Sequence, residues 1–268
     1  MRAAVATRNR TSGTAGYFDA PLPRVLAHRG LALDVPENTV ASFDKAIEAG
    51  AVYIETDVNA SADGIAITVH DPDLDRVAGV PGTVAGFTLA ELQQIDLGGG
   101  VRFATLAEVL AAYPQTRFNI DIKSEDVAAP AAAAIIATGA IDRVLITSFS
   151  TKRRRAAVEL LGDGVAASAS AGEFVPALLF AKLGITPLVR WVLRRVDAVQ
   201  IPRSIYGIST VTARTVRRLH AAGVEVHVWT INDVEVAREL LENGVDGIVT
   251  DRADLMLPLA QSYRHAAP

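Results

Sequence analysis

AVYIETDVNASADGIAITVHD, residues 51–71, sets two apolar runs around the polar stretch Asn59-Ala60-Ser61-Ala62-Asp63-Gly64. Residues 52–58 and 65–70 read as strands, and the gap is too short for the crossover helix that parallel neighbours need. An antiparallel hairpin turning at Asp63-Gly64 is the solution left. Folding the chain about that turn sets His70 roughly opposite Asp57. Glu55 and Asp57 are two apart on the first strand, so they face the same way. The stretch therefore predicts a histidine brought back to a carboxylate pair.

Outward from this hairpin, apolar runs alternate with helical patterns. Candidate strands cover residues 25–27, 52–58, 65–70, 117–122, 144–149, 165–169, 198–201, 224–231 and 247–250. Helices are expected at 40–49, 128–137, 152–161, 212–221 and 234–241. Near-continuous apolar strands separated by helices imply a parallel sheet covered by helices, and this length fits a (β/α)8 TIM barrel. A doubly wound sheet is the alternative, but no Gly-rich phosphate fingerprint follows the first strand. Nine strands are one too many for a barrel, and 65–70 is the odd one out. The expected fold is α/β: an eight-stranded barrel with an extra antiparallel hairpin strand and a small Gly-rich insertion after it, at about 72–104. The barrel spans 24–258, between a flexible N-terminal lead (1–23) and a C-terminal tail (259–268).

With 268 residues, half of them hydrophobic, and no cysteine, the chain builds a large core without disulfides. Any metal must be held by oxygen or imidazole. A net charge of −4 gives no general reason to bind nucleic acid. The N-terminus lacks the apolar core of a signal peptide, so a cytoplasmic protein is the default. The most membrane-like stretch, 174–193, is broken by Pro176, Lys182, Gly184, Pro187 and Arg190. It reads as a barrel helix with its loop or as an apolar lip over the site, with no transmembrane segment.

Polar clusters terminate the strands, where a barrel enzyme assembles its site. Glu55 and Asp57 repel unless a cation stabilises them, and hard oxygen donors favour Mg²⁺ or Ca²⁺. Asp121 ends another strand, and Lys123 lies two residues on, placed to offset charge or hold a phosphate oxygen. His28 and His70 each follow an apolar run, and a facing pair serves as acid and base near neutral pH. Arg29 offers a fork for phosphate oxygens or a salt bridge to Glu37 or Asp57. Asn38-Thr39 caps the helix that starts at Val40. Trp229 walls a pocket or simply packs, and Phe149 is similar. Asp251 braces the last barrel turn, His227 fills the interior or a helix interface, and Lys152 to Arg155 form a solvated face or meet anionic lipid.

The ordered set AHRG, PENT, ETD, the Asp-Gly turn with VHD, FNIDIK, TSF, VQIP, VWTIND and GIVTD resembles the glycerophosphodiester phosphodiesterase family over about residues 25–254. The resemblance implies a (β/α)8 barrel with a small insertion after the second histidine. It further implies hydrolysis of glycerophosphodiesters to sn-glycerol 3-phosphate and an alcohol, with one Mg²⁺ or Ca²⁺. By the same resemblance, His28 and His70 are the acid–base pair and Glu55, Asp57 and Asp121 bind the metal. Arg29, Lys123, Glu37, Asn38 and Trp229 bind substrate or phosphate. Asp121 stands where the family commonly has Glu, so a water bridges the missing methylene or the preferred metal shifts.

The same residues leave two further readings open. The apolar segment 174–193 and its basic neighbours suit a lysophospholipase D acting on lysophospholipids, with peripheral membrane contact near 174–195. A non-catalytic metabolite-binding barrel is the other, although mere binding has no use for two proton-transfer groups.

Overall fold

The structure, a computed structural model, describes residues 16–205 and 207–265. In chain order the strands are β1 (Arg24–His28), β2 (Tyr53–Ala60), β3 (Ala66–Thr68), β4 (Arg117–Ile122), β5 (Val144–Thr147) and β6 (Ala166–Ala169). They continue with β7 (Ala198–Pro202), β8 (Ser204–Ile205), β9 (Ile208–Ser209), β10 (Glu225–Trp229) and β11 (Gly247–Thr250). Eight of these form a parallel sheet in which β1 pairs with both β2 and β11, which closes the barrel.

The extra strand is β3, bonded antiparallel to the outer side of β2. The turn runs from Ser61 to Gly64, where Gly64 takes a left-handed φ of 76° that suits a residue without Cβ. The register brings His70 back to within one residue of the position opposite Asp57. Val69 N donates to Asp57 O, so His70 lies one step beyond the residue opposite Asp57. The short pair β8–β9, in the connection after β7, was not expected from the sequence.

Helices α1 (Val40–Glu48), α2 (Asp75–Ala78), α3 (Leu89–Leu92), α4 (Leu106–Ala112), α5 (Ala128–Ala137) and α6 (Thr151–Leu161) come first. After them come α7 (Ala171–Leu183), α8 (Thr186–Val192), α9 (Ala213–Ala221), α10 (Val234–Glu242) and α11 (Ala253–His265). Thr39 opens α1 through a capping box with Ser42, and Gly184 ends α7 in the left-handed conformation. The segment 174–193 is thus two helices, and among the described residues no helix is long and apolar enough to cross a membrane.

Three apolar clusters hold the fold. The largest lies between strands and helices. A second fills the lower barrel interior, and a third (Ile67, Val69, Leu74, Val84, Leu92 and Phe103) is the insertion's own core.

Two boundaries need correction. The lead expected to be flexible through residue 23 is packed from Gly16 onward, because Tyr17 and Phe18 join the lower barrel core beside Leu26, Tyr53 and Leu145. Residues 1–15 of that lead lie outside the described residues. The expected tail from 259 is the second half of α11, with Leu259 and Ala260 buried. Its Arg264 donates to Pro23 O at 2.7 Å, which ties α11 to the segment before β1.

Candidate active site

Strand register assembles the site. His28 lies beside Glu55 across β1–β2, and Asp57 lies beside Asp121 across β2–β4. Eight of the ten residues expected from the sequence line one cavity of about 480 Å³: His28, Arg29, Glu55, Asp57, His70, Asp121, Lys123 and Trp229. Glu37 and Asn38 do not line it. Glu37 instead accepts from Arg29 at 2.9 Å, and Asn38 donates to Asp57 Oδ2 at 3.0 Å while its carbonyl accepts from Thr56. Both act through a neighbour. Arg29 and Asn38 hold left-handed φ values of 57° and 55°, a sparsely populated conformation for such residues. Gly30 is pressed against α1, where a Cβ would stand 2.5 Å from Ser42 Oγ.

Each histidine is held by its own carboxylate. His28 Nδ1 lies 2.6 Å from Asp251 Oδ1, and His70 Nδ1 lies 2.6 Å from Asp71 Oδ1. Such a bond fixes the ring and its tautomer and leaves Nε2 as the nitrogen outside that contact. Burial disfavours the His28 cation, but the Glu55 charge and the Asp251 hydrogen bond outweigh it and raise the imidazole above its ordinary value. Asp251 sits below the usual carboxylate range, chiefly through that hydrogen bond.

Three buried carboxylates meet two cations at the floor. Lys123 Nζ stands 2.7 Å from both Asp57 and Asp121, and Arg29 Nε stands 3.1 Å from Asp57. Despite burial, these cations hold Asp57 below its ordinary value. Glu55 has no comparable partner, and burial together with the Asp57 charge pushes it up to about 8. Asp121 is also raised, chiefly by burial, and its Oδ1 is buried without a hydrogen-bond partner.

Among the described residues, no three His, Asp or Glu side chains are arranged to hold a metal ion as they stand, since Lys123 occupies the space between Asp57 and Asp121. The donor chemistry nevertheless fits a hard divalent cation. An orphaned Asp121 oxygen and an undercompensated Glu55 are what such an ion would satisfy.

Trp229 meets Phe149 edge-on at 5.8 Å, and with Phe174, Val175 and Ile205 they make one cavity wall apolar. His227 is fully buried inside the barrel, one of the two places read for it. Below the site, Asn119 donates to Gln200 at 3.3 Å, and Gln200 Nε2 lies 3.4 Å from His227 Nδ1.

Two residues that contact the site were not legible as part of it in the sequence. Asp251 was read only as a brace, yet barrel closure sets Thr250 beside Ala27 and so brings Asp251 to His28. Arg76, in α2 of the insertion, contacts both Glu37 and Asp71. It thereby links Arg29 to His70 through two shared carboxylates. The adjacency of His70 and Asp71 was a visible signal, but nothing in the sequence pointed to Arg76.

Paired histidines and clustered carboxylates gather at the carboxyl ends of the barrel strands, the end at which a (β/α)8 enzyme builds its site. A profile of the glycerophosphoryl diester phosphodiesterase family matches residues 28–255. A Mycobacterium tuberculosis protein named probable glycerophosphodiester phosphodiesterase 2 is 40% identical over 232 residues, 86% of this chain and 88% of its own. A solved glycerophosphodiester phosphodiesterase from Agrobacterium tumefaciens superposes with a TM-score of 0.71 at 27% identity, covering 88% of this chain and all of that one. An Oleispira antarctica phosphodiesterase, solved with its product sn-glycerol-3-phosphate, gives 0.73 at 26% identity over 94% of this chain and 99% of its own. The chain belongs to the glycerophosphoryl diester phosphodiesterase family and, with it, to the phosphoric diester hydrolases.

Proposed function

We propose that this protein hydrolyses glycerophosphodiesters to sn-glycerol 3-phosphate and an alcohol, with His28 and His70 exchanging the protons. The observation that carries the reading is that two histidines, each held at Nδ1 by its own carboxylate, line one cavity with Arg29 and Lys123. Its support from likeness is the 40% identical relative named for this activity and the relative solved with glycerol phosphate.

A phosphodiester anion repels nucleophiles, so its charge must be neutralised before attack. Arg29 and Lys123 stand where the phosphate would displace part of their present pairing with Asp57 and Asp121. One histidine Nε2 takes the proton of the attacking oxygen, and the other gives a proton to the leaving alcohol. The attacker is water or the substrate's own glycerol hydroxyl, the latter giving a cyclic phosphate opened in a second step. Glu55, Asp57 and Asp121 are the residues that would hold one Mg²⁺ or Ca²⁺. When bound, such an ion supplies Lewis-acid neutralisation of phosphoryl charge.

The test is release of glycerol 3-phosphate from glycerophosphocholine or glycerophosphoethanolamine with either metal supplied. No release from either substrate overturns the reading. A substrate that binds without turnover would instead leave a metabolite-binding barrel. Titration calorimetry should show metal binding to the wild type that weakens in Asp121→Asn, and chelation should remove turnover.

A second substrate reading rests on the apolar wall of Phe149, Phe174, Val175 and Ile205, which suits the acyl chain of a lysophospholipid. Compared rates on acylated and deacylated substrates decide between the two.

A further inference from the structure

Helices α7 and α8 leave an unusual amount of apolar surface uncovered. On α7, Val175, Leu179 and Leu183 repeat every four residues and are 57%, 55% and 64% exposed. On α8, Ile185 just before the helix, then Leu188 and Trp191, repeat every three, with Trp191 61% exposed. The two rows meet at the Leu183–Ile185 corner. Exposed apolar residues scattered singly are ordinary, but a row this long on packed helices marks a binding surface.

The charge around the rows points to the partner. Between residues 171 and 196 the chain has four basic residues, Lys182, Arg190, Arg194 and Arg195, against one acid, Glu173. That acid is taken up by Arg154, at 2.7 Å from both of its oxygens. Lys182 and Arg190 donate to the backbone carbonyls of Ser209 and Ala221, so neither is neutralised there. The Arg194 guanidinium stacks 4.8 Å over the Trp191 ring, a cation beside an aromatic. The whole chain has net charge −4, so this face is opposite in sign to the protein that carries it.

The geometry points to an anionic lipid bilayer as the partner of the α7–α8 face, with the leucines and Trp191 entering the headgroup boundary and the basic residues meeting lipid phosphates. Apolar residues beside cations are how peripheral proteins hold such surfaces. A second copy of the chain fits less well, because a two-fold contact through this face sets four cations against four. Val175 belongs to both the exposed row and the cavity lining, so the docking face begins at the mouth of the site. Docking would therefore set the mouth of the site at the bilayer surface, where an acylated substrate would be met.

The experiment is co-sedimentation of the full chain with vesicles of phosphatidylcholine alone and of phosphatidylcholine mixed equally with phosphatidylglycerol. Binding is expected to the anionic vesicles only and to fall as salt is raised. The double variant Leu179→Glu/Trp191→Glu should lower the bound fraction about tenfold or more. Its turnover of a soluble glycerophosphodiester should stay at the wild-type level, which shows that fold and site are intact. Three outcomes overturn the inference: no binding to anionic vesicles, equal binding by wild type and variant, or a concentration-dependent dimer that the variant abolishes. An inactive wild type that still binds vesicles would sink the catalytic reading and leave this one standing.

Discussion

The two ends of the barrel interior hold similar residues in opposite states. At the lower end, Arg24 donates to both oxygens of Glu225 at 2.9 Å and to Tyr53 Oη at 2.8 Å, and His227 Nε2 lies 3.2 Å from Glu225. Arg24 also reaches the Phe18 carbonyl, so its donors are well used. At the upper end, three carboxylates share Lys123 and Arg29, Glu55 is pushed up to about 8, and Asp121 Oδ1 is left without a partner. One end is a closed account of charge; the other is open for something from solution. Burial opposes charge at both ends, and they differ in how that charge is compensated. A buried charge serves stability where its counter-charge is in place and is open to a ligand where it is not.

Four measurements can break or sharpen this contrast. The largest effect belongs to the upper end. His28→Ala and His70→Ala should each lower kcat by about two to four orders of magnitude while the unfolding temperature changes little. Unchanged turnover in either variant removes that histidine from proton transfer.

The lower end should respond the other way. Glu225→Gln leaves the buried Arg24 unpaired and should cost about 3–5 kcal/mol of stability in denaturant unfolding. Turnover per folded molecule should remain near wild type. A large kinetic defect with unchanged stability would erase the distinction between the two ends.

The third is a pH dependence. Burial opposes the Glu225 anion, but the Arg24 and His227 hydrogen bonds hold its carboxyl well below the ordinary 4.5. A folded value below the unfolded one means the stabilisation is complete above about 4.5 and is lost as pH falls toward the folded value. The stability gap between wild type and Glu225→Gln should therefore narrow below that pH, by up to about 1.4 kcal/mol per pH unit. A gap that widens on acidification would reverse the assignment.

The smallest effect is at Arg76. Its half-exposed ion pairs to Glu37 and Asp71 are worth at most about 1 kcal/mol, so Arg76→Met should change kcat/KM by no more than about fivefold. A loss of a hundredfold would place Arg76 on the substrate itself.

Much of the upper end was legible in the sequence because its residues sit at strand termini, where apolar runs stop. His28, Glu55, Asp57, Asp121 and Lys123 could be read from runs and two-residue spacing, and the short polar gap after β2 disclosed the hairpin. Asp251 was legible as a residue and not as a partner, because its role needs the β1–β11 closure that no local pattern encodes. The lower end was nearly silent. Arg24 and Glu225 are polar residues at strand starts, which reads as ordinary solvation. Only Tyr17 and Phe18, folding back from a stretch without periodicity, turn that position into an interior. Asn38 shows the same limit, since sequence read it as part of a helix cap or a substrate contact and not as the donor behind Asp57. The salt bridges of Arg29 to Glu37 and Asp57, by contrast, were among the two readings of that arginine.

The hairpin has one more consequence, for the order in which the molecule fails. His28 hangs from the barrel wall, whereas His70 follows β3, whose Ile67 and neighbouring Val69 are buried in the insertion's separate core. The two histidines thus belong to two apolar units that meet at the cavity. The smaller unit has fewer contacts to hold it and opens at lower cost. Warming or mild denaturant should then silence catalysis by freeing His70 while the barrel remains closed, so that inactivation runs ahead of unfolding.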